Sequence, residues 1–431
     1  MKFTILTLGC KVNSYESDLM REKMEKSGYI WATIDGKPNI VIINTCSVTN
    51  QSDAKSRHLI RQARRLLPES LIIAVGCSAQ NHKGALLDIG ANIVLGTKDK
   101  SKITEYIDEY FQNKKDKVQI YDMSDVEFEP MYVSSESDKT RAFVKIQDGC
   151  NNFCSYCIIP YLRGNIRNKD INEAIKEINN LVSSGHKEIV LTGIHTGSYG
   201  YGEDYDLVDL IREISKNPNL LRVRISSIEI TELNDKFLEE LKNNPKICNH
   251  LHIPLQSGSD AVLSKMNRKY DTTYFKNKIQ KIRSIRPEIS ITTDLIVGFP
   301  YETDEEFINT YNFIKGIGFT KVHTFPFSLR SGTKAEEMSD GFVDEKVKKE
   351  RVHKILELSN KLENEYYNKF IGRDLQIIVE SGKNGISSGH TDNYILVHLD
   401  SEIPSGTVID AKICKVDNIY VKGDVLPVEK K

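Results

Sequence analysis

The sequence carries no surplus of charge in either direction. Its 59 lysines and arginines are set against 60 aspartates and glutamates, a formal net charge of −1 over 431 residues. Such a chain has no global attraction to nucleic acid, so any RNA contact must come from local basic patches. No apolar run approaches membrane-spanning length. A strand-like stretch begins at Phe3, so no secretory signal is expected. Repeats and low-complexity tracts are also missing. Hydrophobic content of 39% and charged content of 28% fit a globular protein with substantial cores, and the length suggests about three domains. Cysteine is sparse, eight in all. Disulfides are not expected of them, because the chain reads as cytoplasmic, where thiols stay reduced.

The cysteines that are present form a pattern. Cys150-Asn151-Asn152-Phe153-Cys154-Ser155-Tyr156-Cys157 directly follows the apolar run 142–146. A C-x3-C-x2-C group can bind three irons of a 4Fe–4S cluster, and with no fourth cysteine nearby the last iron stays open. Structural iron–sulfur and zinc sites usually close with four ligands. The spacing resembles that of the radical S-adenosylmethionine (SAM) enzymes, in which the open iron is chelated by the amino and carboxylate groups of SAM. A zinc knuckle completed by a distant ligand is the alternative. Such knuckles usually show paired C-x2-C units or histidine spacing, which are missing here.

A second set is more dispersed. Cys10, Cys46 and Cys77 each follow a short, β-branched, apolar run, at 3–8, 40–43 and 71–75. These read as parallel strands buried on both faces, separated by helical stretches at 15–26 and 53–67. Successive βα units put every strand's carboxyl end on one edge, where ligands bind. The three thiols are therefore expected to converge around a second cluster with an open iron. Three separate buried thiols are the bland alternative, and for Cys248 and Cys414 the preferred one. Lys55, Arg57, Arg61, Arg64 and Arg65 form a basic stripe after Cys46. It is either a solvated face or a phosphate contact.

The expected fold is α/β in three parts. Residues 1–115 form a Rossmann-like parallel domain with a fourth strand at 93–95. Residues 116–139 read as a polar linker that includes Ser134-Ser135-Glu136-Ser137-Asp138. Residues 140–366 alternate strands (141–147, 188–192, 221–228, 250–256, 290–297, 321–327) with helices such as 171–182 and 305–314. Six βα units suggest a partial barrel. A charged helix at 344–367 leads to a small five-stranded β-barrel at 368–431, with strands at 375–379, 394–398, 407–416 and 419–421. Chemistry in such barrels collects at strand carboxyl ends, here Thr192-Gly193, Ser226, Ser227, Glu229, His252, Gln256, Asp294, Phe325 and Ser328. Thr192, Gly193, Glu229 and Gln256 are the candidate SAM contacts. Arg163 and Arg167 are candidates for its carboxylate or for an RNA phosphate.

Longer motifs carry a closer resemblance. The segments 7–17 (Thr-Leu-Gly-Cys-Lys-Val-Asn-Ser-Tyr-Glu-Ser), Asn44-Thr45-Cys46, Gly76-Cys77, 148–164, 254–259 and 294–300 are similar to those of the radical SAM methylthiotransferases. Gly389-His390-Thr391-Asp392-Asn393-Tyr394 resembles their RNA-binding TRAM domain. Tyr301 departs from the family, which usually has glycine there, and is expected to alter the loop's conformation. The resemblance implies two 4Fe–4S clusters, on Cys150/Cys154/Cys157 and Cys10/Cys46/Cys77, and two SAM molecules per turnover. One SAM yields a radical that takes hydrogen from adenine C2, and the other methylates a sulfur carried by the second cluster. The partners it implies are the tRNA anticodon stem-loop, a sulfur donor and an electron donor such as flavodoxin or ferredoxin.

Gly-Cys-Lys-Val-Asn resembles the branch acting on N6-threonylcarbamoyladenosine at tRNA position 37. Branches acting on isopentenyladenosine or on a ribosomal-protein aspartate usually carry other residues after that cysteine. A radical SAM methyltransferase without sulfur insertion leaves Cys10, Cys46 and Cys77 unexplained. A non-catalytic iron–sulfur RNA-binding sensor leaves the Cys150 triplet unexplained.

Overall fold

The computed structural model describes residues 1–134 and 140–427; Ser135, Glu136, Ser137 and Asp138 of the polar stretch lie outside it. Two apolar runs explain the first sheet. Ile40–Thr45 and Leu71–Gly76 are buried at every position, as in strands covered on both faces. Ile40, Ile42, Leu71 and Ile73 enter one core, while Val41, Ile43, Ile72 and Ala74 enter the other. That is the two-residue period of a pleated strand.

The sheet comprises β1 (Lys2–Thr7), β2 (Ile30–Trp31), β3 (Ile40–Thr45), β4 (Leu71–Gly76), β5 (Ile93–Leu95) and β6 (Lys117–Gln119). Its order is 2-1-3-4-5-6, parallel throughout. Helices α1 (Lys11–Lys26) and α2 (Asn50–Leu66) cross between strands, and the short α3 (Cys77–His82) follows β4 directly. Strand β6 falls inside the stretch read as a linker. Only Val118 of its three residues is apolar, so it shows no period of its own and extends because it pairs with β5. The same stretch buries Met131 and Val133 against Tyr15 and Leu19 of α1.

Six parallel strands follow: β7 (Arg141–Lys145), β8 (Glu188–Thr192), β9 (Arg222–Ile225), β10 (His250–His252), β11 (Ser290–Val297) and β12 (Lys321–Pro326). They form two three-stranded sheets, 9-8-7 and 10-11-12. A bridge between Val223 and Ile247 and a 3.0 Å bond from Ile228 N–H to the His252 carbonyl link the halves. Among the described residues no ladder joins β7 to β12, so the barrel is partial. Crossover helices start on side-chain caps at Asp170, Asp206, Asn234, Asp271 and Thr303. Each cap contributes about 1 kcal/mol and fixes where the chain enters its helix. Strands β9 and β10 are shorter than the expected 221–228 and 250–256: Ser226, Ser227 and Pro254 lie beyond the ladder and line a cavity.

Helix α4 (Glu345–Asn368) carries Tyr366 and Tyr367 into the core of the tail, against Ile377, Val397 and Val421. The tail is a closed barrel of β13 (Asp374–Lys383), β14 (Ile386–Thr391), β15 (Leu396–Leu399), β16 (Val408–Asp417) and β17 (Tyr420–Val425), in the order 13-14-15-17-16. The motif reading missed β14, whose Ser387-Ser388-Gly389-His390 has low strand propensity. Its glycine is required by the close approach of β13, since a Cβ at Gly389 would lie 2.1 Å from the Ile378 carbonyl oxygen. The tail docks on β9. Arg222 Nη2 donates to the Gln376 carbonyl at 2.7 Å, and Arg224 Nη1 to that of Asp392 at 3.1 Å. Arg224 is held by Glu188 through a 2.6 Å ion pair.

Candidate active site

Cys150, Cys154 and Cys157 line one wall of a cavity of about 630 Å³ at the strand carboxyl ends. Thr192, Gly193, Glu229 and Gln256 line it too. A Cβ at Gly193 would sit 2.8 Å from Gln147 Oε1, so only glycine lets the backbone pass there without displacing that side chain. Donors face the sulfurs. Arg268 Nη1 lies 3.3 Å from Cys154 Sγ and its other arm pairs with Glu229. His195 Nε2 pairs with Glu232 at 2.5 Å: burial opposes its charge, but Cys150 and Glu232 outweigh it and push the imidazole up to about 10. Burial pushes the Cys157 thiol up to about 12, so ligation there releases a proton.

Cys10, Cys46 and Cys77 follow the ends of the neighbouring strands β1, β3 and β4, and the motif residues around them explain how. Asn13 Nδ2 donates to the Leu8 carbonyl at 2.7 Å and to that of Thr45 at 3.0 Å, which ties the Cys10 turn to the end of β3. Thr45 Oγ1 donates to the Val75 carbonyl at 2.6 Å and accepts from Ala79 N–H, which fixes the Cys77 turn. Gly9 has φ +99°, and a Cβ there would lie 2.8 Å from Cys46 Sγ. Cys10 opens into the cavity that the Cys150 triplet also lines. Among the described residues no three His, Cys, Asp or Glu side chains close on a point as one metal ion requires. Three thiols at neighbouring strand ends are a donor set that a polynuclear cluster could use, each iron taking one thiolate.

Arg163 does not line this cavity. It is fully buried and donates to Glu16 Oε1 at 3.0 Å, Asp148 Oδ1 at 3.1 Å, Asn13 Oδ1 at 3.0 Å and Cys77 Sγ at 3.3 Å. Every donor arm is committed, so neither the SAM carboxylate nor an RNA phosphate reaches it. Arg167 is also drawn inward, 3.5 Å from Asp148. Lys145 and Lys100 complete the cluster, 2.8 and 3.2 Å from Glu16. Burial alone would raise the Glu16 carboxyl, but Arg163, Lys100 and Lys145 hold it well below the usual carboxylate range. The cluster joins the N-terminal sheet to the barrel and sets the Arg163 cation beside Cys77 Sγ.

The basic stripe is only partly free. Arg64 clamps the loops behind it through the carbonyls of Pro68, Ser70 and Gly90, and Arg57 pairs with Asp53 at 3.4 Å. Lys55, Arg61 and Arg65 face solvent. Ser328 accepts from Asn50 N–H at an interdomain contact and does not line the cavity. Tyr301 keeps a glycine-type backbone, φ +64°, so the loop bears the strain. Its hydroxyl bonds to Asp340 and Lys265 lies over its ring at 4.5 Å. Sequence reasoning missed Arg268 and His195, which belong to no recognised motif.

Comparison with known proteins agrees with this geometry. Residues 144–314 match the radical SAM superfamily and residues 2–96 the uncharacterized protein family UPF0004. A Bacillus subtilis (strain 168) protein named threonylcarbamoyladenosine tRNA methylthiotransferase MtaB is 42% identical, covering 98% of this chain and 96% of its own. The chain belongs to the radical SAM methylthiotransferases. A Clostridium tetani relative named tRNA-2-methylthio-N(6)-dimethylallyladenosine synthase is 34% identical over 98% of this chain and 96% of its own. The Kitasatospora setae radical SAM methyltransferase TsrM shares the fold, with a TM-score of 0.56 at 13% identity over 75% of this methylthiotransferase and 73% of TsrM.

Proposed function

We propose that the protein converts N6-threonylcarbamoyladenosine at position 37 of tRNA into its 2-methylthio derivative. The observation that carries this reading is the single cavity onto which Cys10 and the Cys150 triplet both open. Radical generation and sulfur delivery then share one substrate pocket. The branch is supported by the full-length similarity to proteins named for threonylcarbamoyladenosine.

Cys150, Cys154 and Cys157 would hold one 4Fe–4S cluster, and Cys10, Cys46 and Cys77 the other. Reductive cleavage of SAM supplies a radical able to break an aromatic C–H bond, which acid–base side chains cannot do. The chain's own residues position. Thr192, Gly193, Glu229 and Gln256 contact SAM, Arg268 holds Glu229 against that ligand and steadies Cys154, and His195 steadies Cys150. The tail grips the anticodon stem-loop together with Lys55, Arg61 and Arg65, whose phosphate contacts make binding salt-dependent. The tail also lends Tyr394 to the cavity, so deleting it disturbs the pocket as well as RNA affinity. A flavodoxin- or ferredoxin-type reductant and a sulfur donor act with it, in the cytoplasm.

Mass spectrometry of tRNA nucleosides tests the reading. Cells without the protein are expected to keep threonylcarbamoyladenosine and lose its methylthio form. Loss of methylthio-isopentenyladenosine in its place overturns the branch.

A further inference from the structure

One end of the cavity is strongly polar and is not used by the chemistry above. Lys11, His250, His252, Asp294, His323 and Tyr394 line it, contributed by all three parts of the chain. Most of these charges are already matched. His252 Nε2 lies 3.1 Å from Asp294, and nearby Arg141 and Arg224 pair with Glu380 and Glu188. Lys11 is different: among the described residues it has no ion pair or hydrogen bond of its own. A second polar atom is also unsatisfied. His250 is 5% exposed and donates or accepts through Nε2 at Thr292, 3.0 Å away, while its Nδ1 has no partner. Lys11 and His250 both line this corner, and an unpaired polar group there calls for an explanation such as a polar ligand.

Tyr394 is held there rigidly. Its ring stacks between His250 and His390, with centroids 4.7 and 4.6 Å apart, and its backbone takes φ +69°. Such a conformation costs roughly 1–2 kcal/mol for a non-glycine residue. Arg224 and Arg141 approach the ring at 4.7 and 5.5 Å. Burial alone would raise the phenol, but Arg141, Lys11 and Arg224 outweigh it and hold it below its ordinary value. The corner therefore favours negative charge.

The substrates of the two tRNA branches differ in that property. A dimethylallyl group is neutral and apolar, and gains nothing from a wall of lysine, histidine and tyrosine. A threonylcarbamoyl group ends in a carboxylate. Its outer ureido N–H closes a hydrogen bond onto ring N1, which carries that carboxylate toward the C2 edge of the base, the edge that must face Cys10. Lys11 is the next residue along.

We propose that Lys11, together with the Tyr394 hydroxyl, receives the threonyl carboxylate and so selects an acidic over a neutral N6 substituent. The proposal rests on the substrate reading above and deepens it. Lys11 and Tyr394 act as specificity-determining residues, the first set beside a cluster ligand and the second brought in by the tail barrel.

The test measures binding of anticodon stem-loops to the anaerobically reconstituted enzyme. Three RNAs carry threonylcarbamoyladenosine, its threonyl methyl ester, or isopentenyladenosine. Wild type is expected to bind the acid more tightly than the ester on the order of 10- to 100-fold, the range of a hydrogen bond to a charged group. Lys11→Gln should reduce that ratio to near unity by weakening the acid alone, with iron content unchanged. Tyr394→Phe, which keeps the ring stack, should reduce it several-fold, and it reads the same preference if Lys11→Gln fails to take up its clusters. A Lys11→Gln enzyme that keeps the full acid-over-ester preference overturns the proposal and leaves the substrate reading intact. So does an unchanged preference in Tyr394→Phe where Lys11→Gln cannot be loaded. Wild type that prefers the isopentenyl stem-loop overturns both.

Discussion

Replacing Cys150, Cys154 and Cys157 together by alanine is expected to abolish 5′-deoxyadenosine release, a loss of the whole signal above background. Replacing Cys10, Cys46 and Cys77 is expected to spare that release while no methylthiolated nucleoside forms. The asymmetry follows from placement. The triplet lies beside the strand ends of the barrel, with Thr192, Gly193 and Glu229 around it. The other three thiols are held by the ends of β1, β3 and β4 through Asn13 and Thr45. Because Cys10 and the Cys150 triplet border one cavity, removing either set is expected to stop the product. Liquid chromatography of nucleosides and 5′-deoxyadenosine from one reaction separates the outcomes. Methylthiolated product from the N-terminal triple variant would remove the sulfur-carrier role.

Arg163→Met is expected to cost roughly 3–5 kcal/mol, the usual penalty for leaving buried charges without their partner. Glu16 and Asp148 would each lose a guanidinium contact near 3.0 Å while buried against Lys145. The flexible ammonium of lysine cannot satisfy two carboxylates, an amide oxygen and a thiol at once, so Arg163→Lys should rescue little. Denaturant unfolding reads the loss as a lower midpoint. Both carboxyls are held below their ordinary values. Their contribution is therefore complete above those ordinary values and is lost as pH falls further, so the gap between wild type and variant should narrow in acid. An Arg163→Met protein as stable as wild type near neutral pH would refute the structural role.

Much of this arrangement was legible because it rests on strong local signals. Continuous apolar runs ending in cysteine could only be buried parallel strands, and their shared edge follows from βα handedness. The failures are those of direction and pairing. Arg163 lies near the triplet in sequence, yet the short helix Ile159–Arg163 turns it toward Glu16 and Cys77. Strands β6 and β14 are polar and take their form from neighbours rather than from their own pattern. Tyr301 takes a left-handed backbone, φ +64°, that its residue type does not announce. His252 and Asp294 of the cavity's polar corner were legible as strand ends, but Lys11 and Tyr394 come from opposite ends of the chain and line it only when three domains pack. Each lies in a motif that carries the family resemblance, but neither motif says that the two side chains share a pocket.

Iron and sulfide counting on the anaerobically reconstituted chain tests the central claim most directly. A 4Fe–4S cluster on each thiol set would leave one iron open, and no thiol is shared between the sets. Wild type is therefore expected to hold iron and sulfide for two 4Fe–4S clusters per chain, and each triple cysteine variant for one. Fully reconstituted wild type that holds iron for a single cluster would contradict the account.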